Sequence, residues 1–407
     1  MKYFTMDNFN LRGKTVFVRV DVNAPLDPST GTILDYSRFE AHRRTLKELR
    51  NSKVVILAHQ SRPGKMDYVS LKPHAEVFTR ILGRKVKHVT DLFGDAAISA
   101  IENMRQGEYL LLENTRFYAE EYCLKKGDFG ETNIVKNLAP YGDYFINDAF
   151  AAAHRAQTTL VGFAGKIPML AGRLMEREIK MLSRFIEMTE RPKIGVFGGA
   201  KADDSLAVIE NFLKNGIVDK VLTGGVVSTL FLIAKGYDVG FKSTEYLERE
   251  FDNYQLLVKK AKNLIENYDE KIEVPVDVVV NDNGRRHALR VEELPNNNPI
   301  YDIGLDTAIK YIRILNEAKG IVLNGPMGVY EIPEFEVGTY EVYKGIADSK
   351  AFKVGGGGHT IAALEKYRLK SSFDHISTGG GSLITFLSGG KMPVLEALEE
   401  SYNKFVK

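Results

Sequence analysis

One feature constrains the fold more than any other. Short apolar, β-branched runs stop abruptly at polar or glycine-rich loops, and helix-like stretches separate them. Lys14–Val20 reads Lys-Thr-Val-Phe-Val-Arg-Val and gives way to Asp21-Val22-Asn23-Ala24-Pro25. β-Branched and aromatic residues favour a strand, and an acid, an amide and a proline end it. Lys53–Ala58 precedes His59-Gln60-Ser61-Arg62-Pro63-Gly64, and Glu108–Glu113 precedes Asn114-Thr115-Arg116. Asp143–Ile146 precedes Asn147-Asp148-Ala149-Phe150 and then His154-Arg155. Leu71–Leu82 has helical spacing. Strands alternating with helices make βαβ units and a mostly parallel sheet. Ligands bind such sheets beyond the carboxyl ends of the strands.

The second half repeats the plan with different loop chemistry. Lys193–Phe197 precedes Gly198-Gly199-Ala200-Lys201, and Asp219–Leu222 precedes Thr223-Gly224-Gly225. Val274–Val280 precedes Asn281-Asp282, and Gly320–Leu323 precedes Asn324-Gly325-Pro326-Met327-Gly328. Ala351–Val354 runs into Gly355-Gly356-Gly357-Gly358-His359-Thr360, and Phe373–Ile376 into Ser377-Thr378-Gly379-Gly380-Gly381. All six are expected in a second doubly wound sheet.

The expected fold is α/β: two doubly wound, parallel-sheet, Rossmann-like domains joined by a helical hinge. A chain of 407 residues exceeds what one hydrophobic core organises. The domains are drawn at 1–170 and 171–391, with 172–190 as the connecting helix. No Gly or Pro interrupts that helix after Gly172, and Pro192 follows it as a stop signal. Its Leu174, Glu178, Leu182 and Phe185 do not line up as one clean stripe. Glu396–Phe405 reads as a terminal helix.

Composition narrows the setting. Net charge is +2, so a basic site must come from local clustering. Cys123 is the single cysteine, which precludes an internal disulfide and suits a reducing cytosol. No apolar run approaches the ~20 residues of a membrane span, and the start of the chain has no signal-peptide core. A soluble cytoplasmic protein is expected.

The strand ends carry the chemistry. In the first half they supply Arg19, Asp21, Asn23, His59, Arg62, Arg116 and Arg155, with Arg38 in a polar stretch after the first loop. Guanidinium forks match phosphate and carboxylate oxygens two at a time. One such arginine is ordinary solvated surface; several at one sheet edge point to a pocket for a small, multiply charged anion. The aromatic interleaving of a nucleic-acid groove is missing. In the second half glycines replace the charges. They allow close backbone approach, and helix starts offer N–H groups to phosphate. Asn324, Glu331 and Thr360 add polar contacts, and Lys201 is the cation inside a glycine-rich loop. Neither G-x-x-x-x-G-K-[ST] nor a convincing G-x-G-x-x-G is present. No Ser-His-Asp set, Cys-His set or His/Cys metal spacing is evident. An ionised carboxylate reacting with a phosphoryl group needs no general base, only positioning and positive charge. From the residues alone, a nicotinamide-dependent dehydrogenase and a non-catalytic phosphate-ester binding protein stay open.

Longer motifs go further. Arg-Val-Asp-Val-Asn-Ala-Pro at 19–25, Glu-Asn-Thr-Arg-Phe at 113–117 and Asn-Asp-Ala-Phe-Ala-Ala-Ala-His-Arg at 147–155 come first. Gly-Gly-Ala-Lys at 198–201, Asn-Gly-Pro-Met-Gly-Val-Tyr-Glu at 324–331, Gly-Gly-Gly at 356–358 and Ser-Thr-Gly-Gly-Gly at 377–381 follow. In this order, over nearly the whole chain, they resemble the phosphoglycerate kinase family, its archaeal branch above all. The resemblance implies transfer of the ATP γ-phosphoryl group to the carboxylate of 3-phosphoglycerate. It implies an N-terminal domain for the acid, a C-terminal domain for the Mg-nucleotide, and closure across a hinge. The last helix, 392–407, would return to the first domain.

The resemblance also assigns residues. Asp21, Val22 and Asn23, with the His59-Gln60-Ser61-Arg62 loop, match acid-binding positions. His59, Arg62, Arg116 and Arg155 match the patch for the 3-phosphate. Arg38 matches the arginine at the reacting groups and Lys201 the lysine on the phosphate chain. Gly199, Asn324, Glu331, Gly357, Gly358, His359 and Thr360 match the nucleotide side, with Glu331 on the ribose. Three positions depart from the common pattern: Gln60-Ser61 in the second loop, His359 where most members have Asp, and Ser205 where many have Lys. No protein metal ligand is expected, and Mg²⁺ is expected mainly on phosphates and waters. The expected partners are ATP and 3-phosphoglycerate, with no nucleic acid and no membrane. A monomer is expected, with a homodimer as the alternative.

Overall fold

The computed structural model describes residues 1–406 apart from 28, 123, 125 and 126; Cys123 therefore lies outside the described residues. The chain forms two compact units: Met1–Lys180 with Lys391–Lys407, and Met181–Gly390.

The first unit is built on a seven-stranded sheet. Its order is Phe4–Thr5, Met169–Ala171, Tyr144–Asn147, Thr15–Arg19, Lys53–Leu57, Tyr109–Leu111, Val86–His88. Every pairing is parallel. Val16, Phe17 and Val18 are all fully buried, so this strand has no solvent face. That is why it reads as a continuous apolar run rather than an alternating one. The register sets Arg19 beside Leu57 on one side and Asn147 on the other. The loops after these three strands therefore leave the sheet at one edge. The chain reverses direction across the sheet here, which makes the edge a ligand-binding crevice. The three strands Phe4–Thr5, Val86–His88 and Met169–Ala171, which the apolar runs did not announce, are short. The helix Pro393–Phe405 belongs to this unit: its Ser401 Oγ accepts the Met169 N–H at 2.7 Å.

The second unit holds a six-stranded parallel sheet. Its order is Ile272–Glu273, Lys220–Thr223, Lys193–Phe197, Gly320–Asn324, Phe352–Gly356, His375–Ser377. One expectation fails here. The run 274–280 is not a strand of this sheet. Pro275 interrupts it, since proline cannot donate to a ladder. Ile272–Glu273 stays on the parallel sheet, while Asp277–Asp282 leaves to pair antiparallel with Arg285–Arg290 and Ile300–Ile303. Asn283 and Gly284 turn the hairpin with φ of 49° and 87°. Two positive φ angles at an Asn-Gly pair are the signature of a type I′ turn, so the correction was legible in the chain.

The helix Arg173–Glu187 contains the boundary between the units. Contrary to expectation it has one clean stripe: Met175, Glu178, Ile179, Leu182 and Phe185 are all buried. The i, i+3, i+4 spacing is helical; the polar Glu178 hides it from a hydropathy pattern.

Candidate active site

At the rim of the first sheet, Asp21 follows the Thr15–Arg19 strand and is 7% exposed. Its carboxylate faces Arg38, which stands near the start of the helix Ser37–Glu48, with NH1 3.1 Å from Oδ1. The same Oδ1 accepts the Asn23 N–H at 3.1 Å. Burial alone would raise the Asp21 carboxyl. The Arg38 and Arg19 guanidiniums beside it outweigh that and hold the group well below the usual carboxylate range.

The loops are tied to each other by side chain to backbone bonds. Asn23 Oδ1 accepts the Ser61 N–H at 2.7 Å. Gln60 is fully buried and brackets one residue: its Oε1 accepts the Ala24 N–H at 3.2 Å, and its Nε2 donates to the Ala24 carbonyl at 2.9 Å. Val22 is also fully buried. Both shape the loop from behind. Ser61 holds φ of 57°, a strained value for a residue with a Cβ. Its hydroxyl donates to Asp67, and its carbonyl accepts from Arg116 NH1 at 2.5 Å.

A cavity of about 570 Å³ opens between these loops. Asn23, Ser61, Arg62, Arg116 and Arg155 line it, joined by Lys65, Asp67, Tyr122 and Gln157. Burial, then Arg155 and Arg19 nearby, pushes the Arg116 guanidinium down to about 10. A cation depressed by its like-charged neighbours is poised for an anion that relieves them. The structure thus gathers three of the expected arginines around one space. It does not put Arg19 or His59 into that lining. Arg19 is fully buried: Nε donates to Thr159 Oγ1 at 2.9 Å, NH2 meets His59 Nδ1 at 2.9 Å, and Glu121 Oε1 lies 3.7 Å away. Arg19 is therefore not one of the pocket's cations, because the apolar strand that carries it is buried on both faces. His59 is buried behind the rim, and desolvation holds its imidazole well below the ordinary value, hence neutral. Lys65, Tyr122 and Gln157 were not anticipated. Lys65 stands just beyond the Pro63-Gly64 turn, a signal that could have found it; nothing in the sequence singles out Tyr122.

The second sheet presents backbone at its rim. Gly198 sits so close to the next strand's loop that a Cβ would stand 2.0 Å from the Pro326 carbonyl. Gly225, with φ of 55°, donates its N–H to the Met327 carbonyl at 2.6 Å. Thr360 is fully buried, and its Oγ1 accepts the Gly325 N–H at 2.8 Å. The helices Ala202–Lys214, Gly225–Ala234, Gly358–Lys366 and Gly380–Leu387 all start just after strands of this sheet. Helix N-termini carry partial positive charge and unpaired N–H groups that suit phosphate.

Beside this rim lies a cavity of about 540 Å³. Gly199, Glu331 and His359 are among its lining, with Tyr246, Ile300, Met327 and Val329 giving it apolar walls. Lys201, Asn324, Gly357, Gly358 and Thr360 are not in that lining. Lys201 is exposed at the N-cap of the helix Ala202–Lys214, and Gly357 at φ of 99° caps the helix Gly358–Lys366. His359 Nδ1 lies 3.6 Å from Glu331 Oε1, both exposed. Ser205 is buried and adds no charge to the rim. Among the described residues no three His, Cys, Asp or Glu side chains gather as a metal site.

The sequence model of phosphoglycerate kinase matches residues 6–390. The chain belongs to the phosphoglycerate kinase family. It is 50% identical over 405 residues to the phosphoglycerate kinase of Thermoplasma acidophilum, covering 99% of both chains. It is 48% identical over 403 residues to that of Methanothermus fervidus, covering 98% of both. Among solved structures, phosphoglycerate kinase from Pyrococcus horikoshii OT3 matches with a TM-score of 0.91 and 44% identity, over 99% of this chain and 100% of that one. The Coxiella burnetii enzyme matches at a TM-score of 0.81 and 31% identity, over 98% and 99%. The activity is that of a phosphoglycerate kinase: reversible transfer of the ATP γ-phosphoryl group to 3-phosphoglycerate, a step of glycolysis. Both alternatives left open by the residues, dehydrogenase and non-catalytic binder, fall here. Among the described residues no helix is long and apolar enough to cross a membrane.

Proposed function

We propose that the first unit is the acid-binding domain and the second the nucleotide-binding domain of this phosphoglycerate kinase. The supporting observation is the cavity lined by Arg62, Arg116 and Arg155 with Asn23 at the carboxyl ends of a parallel sheet. In this reading the three arginines take the 3-phosphate, and Asp21 and Asn23 orient the three-carbon acid. Arg38, held by Asp21, meets the carboxylate and the incoming phosphoryl group. On the second unit the helix N-termini and the backbone of Gly199, Gly357 and Gly358 take the phosphate chain. Lys201 holds charge on the γ-phosphoryl, and Glu331 contacts the ribose.

The chemistry then requires little beyond alignment. A carboxylate oxygen attacks the γ-phosphorus in line. The new O–P bond forms as the bond to the β–γ bridging oxygen breaks, and ADP leaves with the electron pair. The nucleophile is already ionised, so no general base takes part, and cationic donors stabilise the charge. Mg²⁺ in this reading travels on the nucleotide phosphates and neutralises part of their charge, and His359 offers it no carboxylate. The working species is taken as a cytoplasmic monomer, which light scattering on the eluting protein tests; a dimer mass overturns it.

Titration calorimetry separates the assignments. 3-Phosphoglycerate binding should weaken in Arg62→Ala with ADP binding unchanged. Weakened ADP binding in that variant would reverse the roles of the two units.

A further inference from the structure

The helix Ser37–Glu48 carries Arg38 near its start. Three more polar residues continue the same stripe at 42, 45 and 48, the i+4, i+7 and i+10 positions from Arg38. All of them reach backbone or side chains that the acid-binding site does not otherwise use. His42 is 1% exposed. Its Nδ1 lies 2.8 Å from Asp148 Oδ2. A carboxylate can only accept, so Nδ1 carries a proton, and Nε2 lies 3.2 Å from the Asp21 carbonyl oxygen. Nε2 faces the Asp21 peptide, with the Asp21 N–H donating to it at 3.1 Å.

Asp148 is fully buried and has a second task. Its Oδ1 accepts the N–H groups of Leu174 at 2.9 Å and Met175 at 3.3 Å. These belong to the first turn of the helix Arg173–Glu187, whose positive N-terminus favours a carboxylate. Gly172 keeps that contact open: a Cβ there would stand 2.2 Å from Asp148 Oδ1. The rest of the stripe grips the same turn. Thr45 Oγ1 accepts the Arg173 N–H at 2.9 Å, and Glu48 Oε2 accepts from Arg173 Nε at 2.7 Å. One unbroken set of bonds thus runs from the Asp21 turn through His42 and Asp148 to the helix start.

We propose that His42 is a positioning residue for phosphoryl transfer, setting the Asp21 turn, and through it Arg38, against the N-terminus of the helix Arg173–Glu187. The proposal rests on the assignment of Asp21 and Arg38 to the acid. If His42 were only a satisfied buried side chain, replacing it would lower stability and leave the kinetics of the folded enzyme alone. A positioning role predicts a kinetic signature instead. Displacing a reacting group by about 1 Å costs up to ~10²-fold in rate.

The test uses the full-length enzyme, assayed well below its unfolding transition. His42→Asn places an amide near Nδ1 and can keep Asp148 but loses the Asp21 peptide. His42→Gln reaches toward Nε2 and can keep the peptide but loses Asp148. Each should lower kcat/KM for 3-phosphoglycerate by about 10- to 100-fold, with ADP affinity unchanged. Gly172→Ala should reproduce the defect, because its methyl displaces Asp148 without touching His42. That variant keeps the proposal testable if the His42 variants do not fold. Arg38→Ala is measured alongside. If Arg38→Ala is impaired while the His42 and Gly172 variants have normal kinetics, the positioning role is wrong and the acid site stands. If Arg38→Ala itself is normal, the acid-site reading fails and takes the proposal with it. An equal loss in acid and nucleotide binding means general loosening and also overturns it.

Discussion

Arg38 reaches Asp21 at 3.1 Å while remaining one-third exposed, and Asp21 is almost closed off from solvent. The carboxylate is thus a buried clamp for a partly exposed guanidinium. A clamped donor needs no reorganisation when charge develops in front of it. Replacing Arg38 by Ala should lower kcat by about 10²–10³, the size expected for one preorganised donor. Lysine should restore little, since it lacks the planar fork. Steady-state kinetics in the ATP-consuming direction check this, and a near-normal kcat for the alanine variant removes Arg38 from the role.

Arg116 and Arg155 face the same cavity, and Arg155 disfavours the charge on Arg116. Substitution of Arg155 by Ala should relieve that repulsion in the free enzyme. The melting temperature should hold or rise slightly, as for exposed positions within about 0.5 kcal/mol. The KM for 3-phosphoglycerate should nevertheless climb at least about tenfold, and the residual KM should depend less on salt because one screened attraction is gone. A stability loss together with an unchanged KM would contradict the phosphate-binding assignment.

Thr360 supplies the acceptor for the Gly325 N–H inside a dry turn. Thr360→Val keeps the shape and orphans that donor, at a cost of about 1–3 kcal/mol. Serine should recover most of it. Because Gly325 follows Asn324 at the rim proposed for the nucleotide, the valine variant should also raise the ATP KM with little change in the acid KM. Chemical denaturation and paired kinetics read both effects.

Asp302 sits in the wall of the second unit's cavity, 2% exposed, with Oδ2 accepting the Gly338 N–H at 2.6 Å. Burial pushes its carboxyl up to about 7 from 3.8, against the pull of Gly338, Ile303 and Arg286. In the unfolded chain the proton is lost near pH 4, while the folded chain keeps it to about pH 7. The group therefore stabilises the fold fully at acid pH, and that advantage drains away as pH rises between those values. Asp302→Asn cannot titrate. Relative to the parent its stability should gain about 2–3 kcal/mol between pH 5 and pH 8, at roughly 1.4 kcal/mol per pH unit over the window. Urea unfolding at the two pH values checks the sign; a constant difference would show that the carboxyl is not the titrating group.

Particular residues show how far the chain could be read unaided. The Lys53–Leu57 and Lys193–Phe197 strands were visible because central parallel strands are apolar on both faces. The arginines that line the first unit's cavity lie in loops that follow such runs. The hairpin at Asn283-Gly284 was missed although its turn residues were in plain sight. Arg19 and Gln60 were misjudged for a different reason. Both are polar residues in a ligand-side loop or at its border, and only the packed neighbours reveal that their polar atoms are already matched to backbone and to Glu121. Glu178 likewise concealed a regular buried stripe.

Hydropathy period, turn residues and the order of the long motifs set the fold class, the two parallel sheets and the family, since each is a local property written along the chain. Which arginine faces a cavity and which is buried, which glycine must lack a Cβ, and which histidine bridges Asp21 to a helix start were decided only by tertiary structure. Those outcomes depend on contacts between residues over a hundred positions apart, such as His42 with Asp148 at |i−j| of 106. No local pattern encodes which partner a buried polar atom will find.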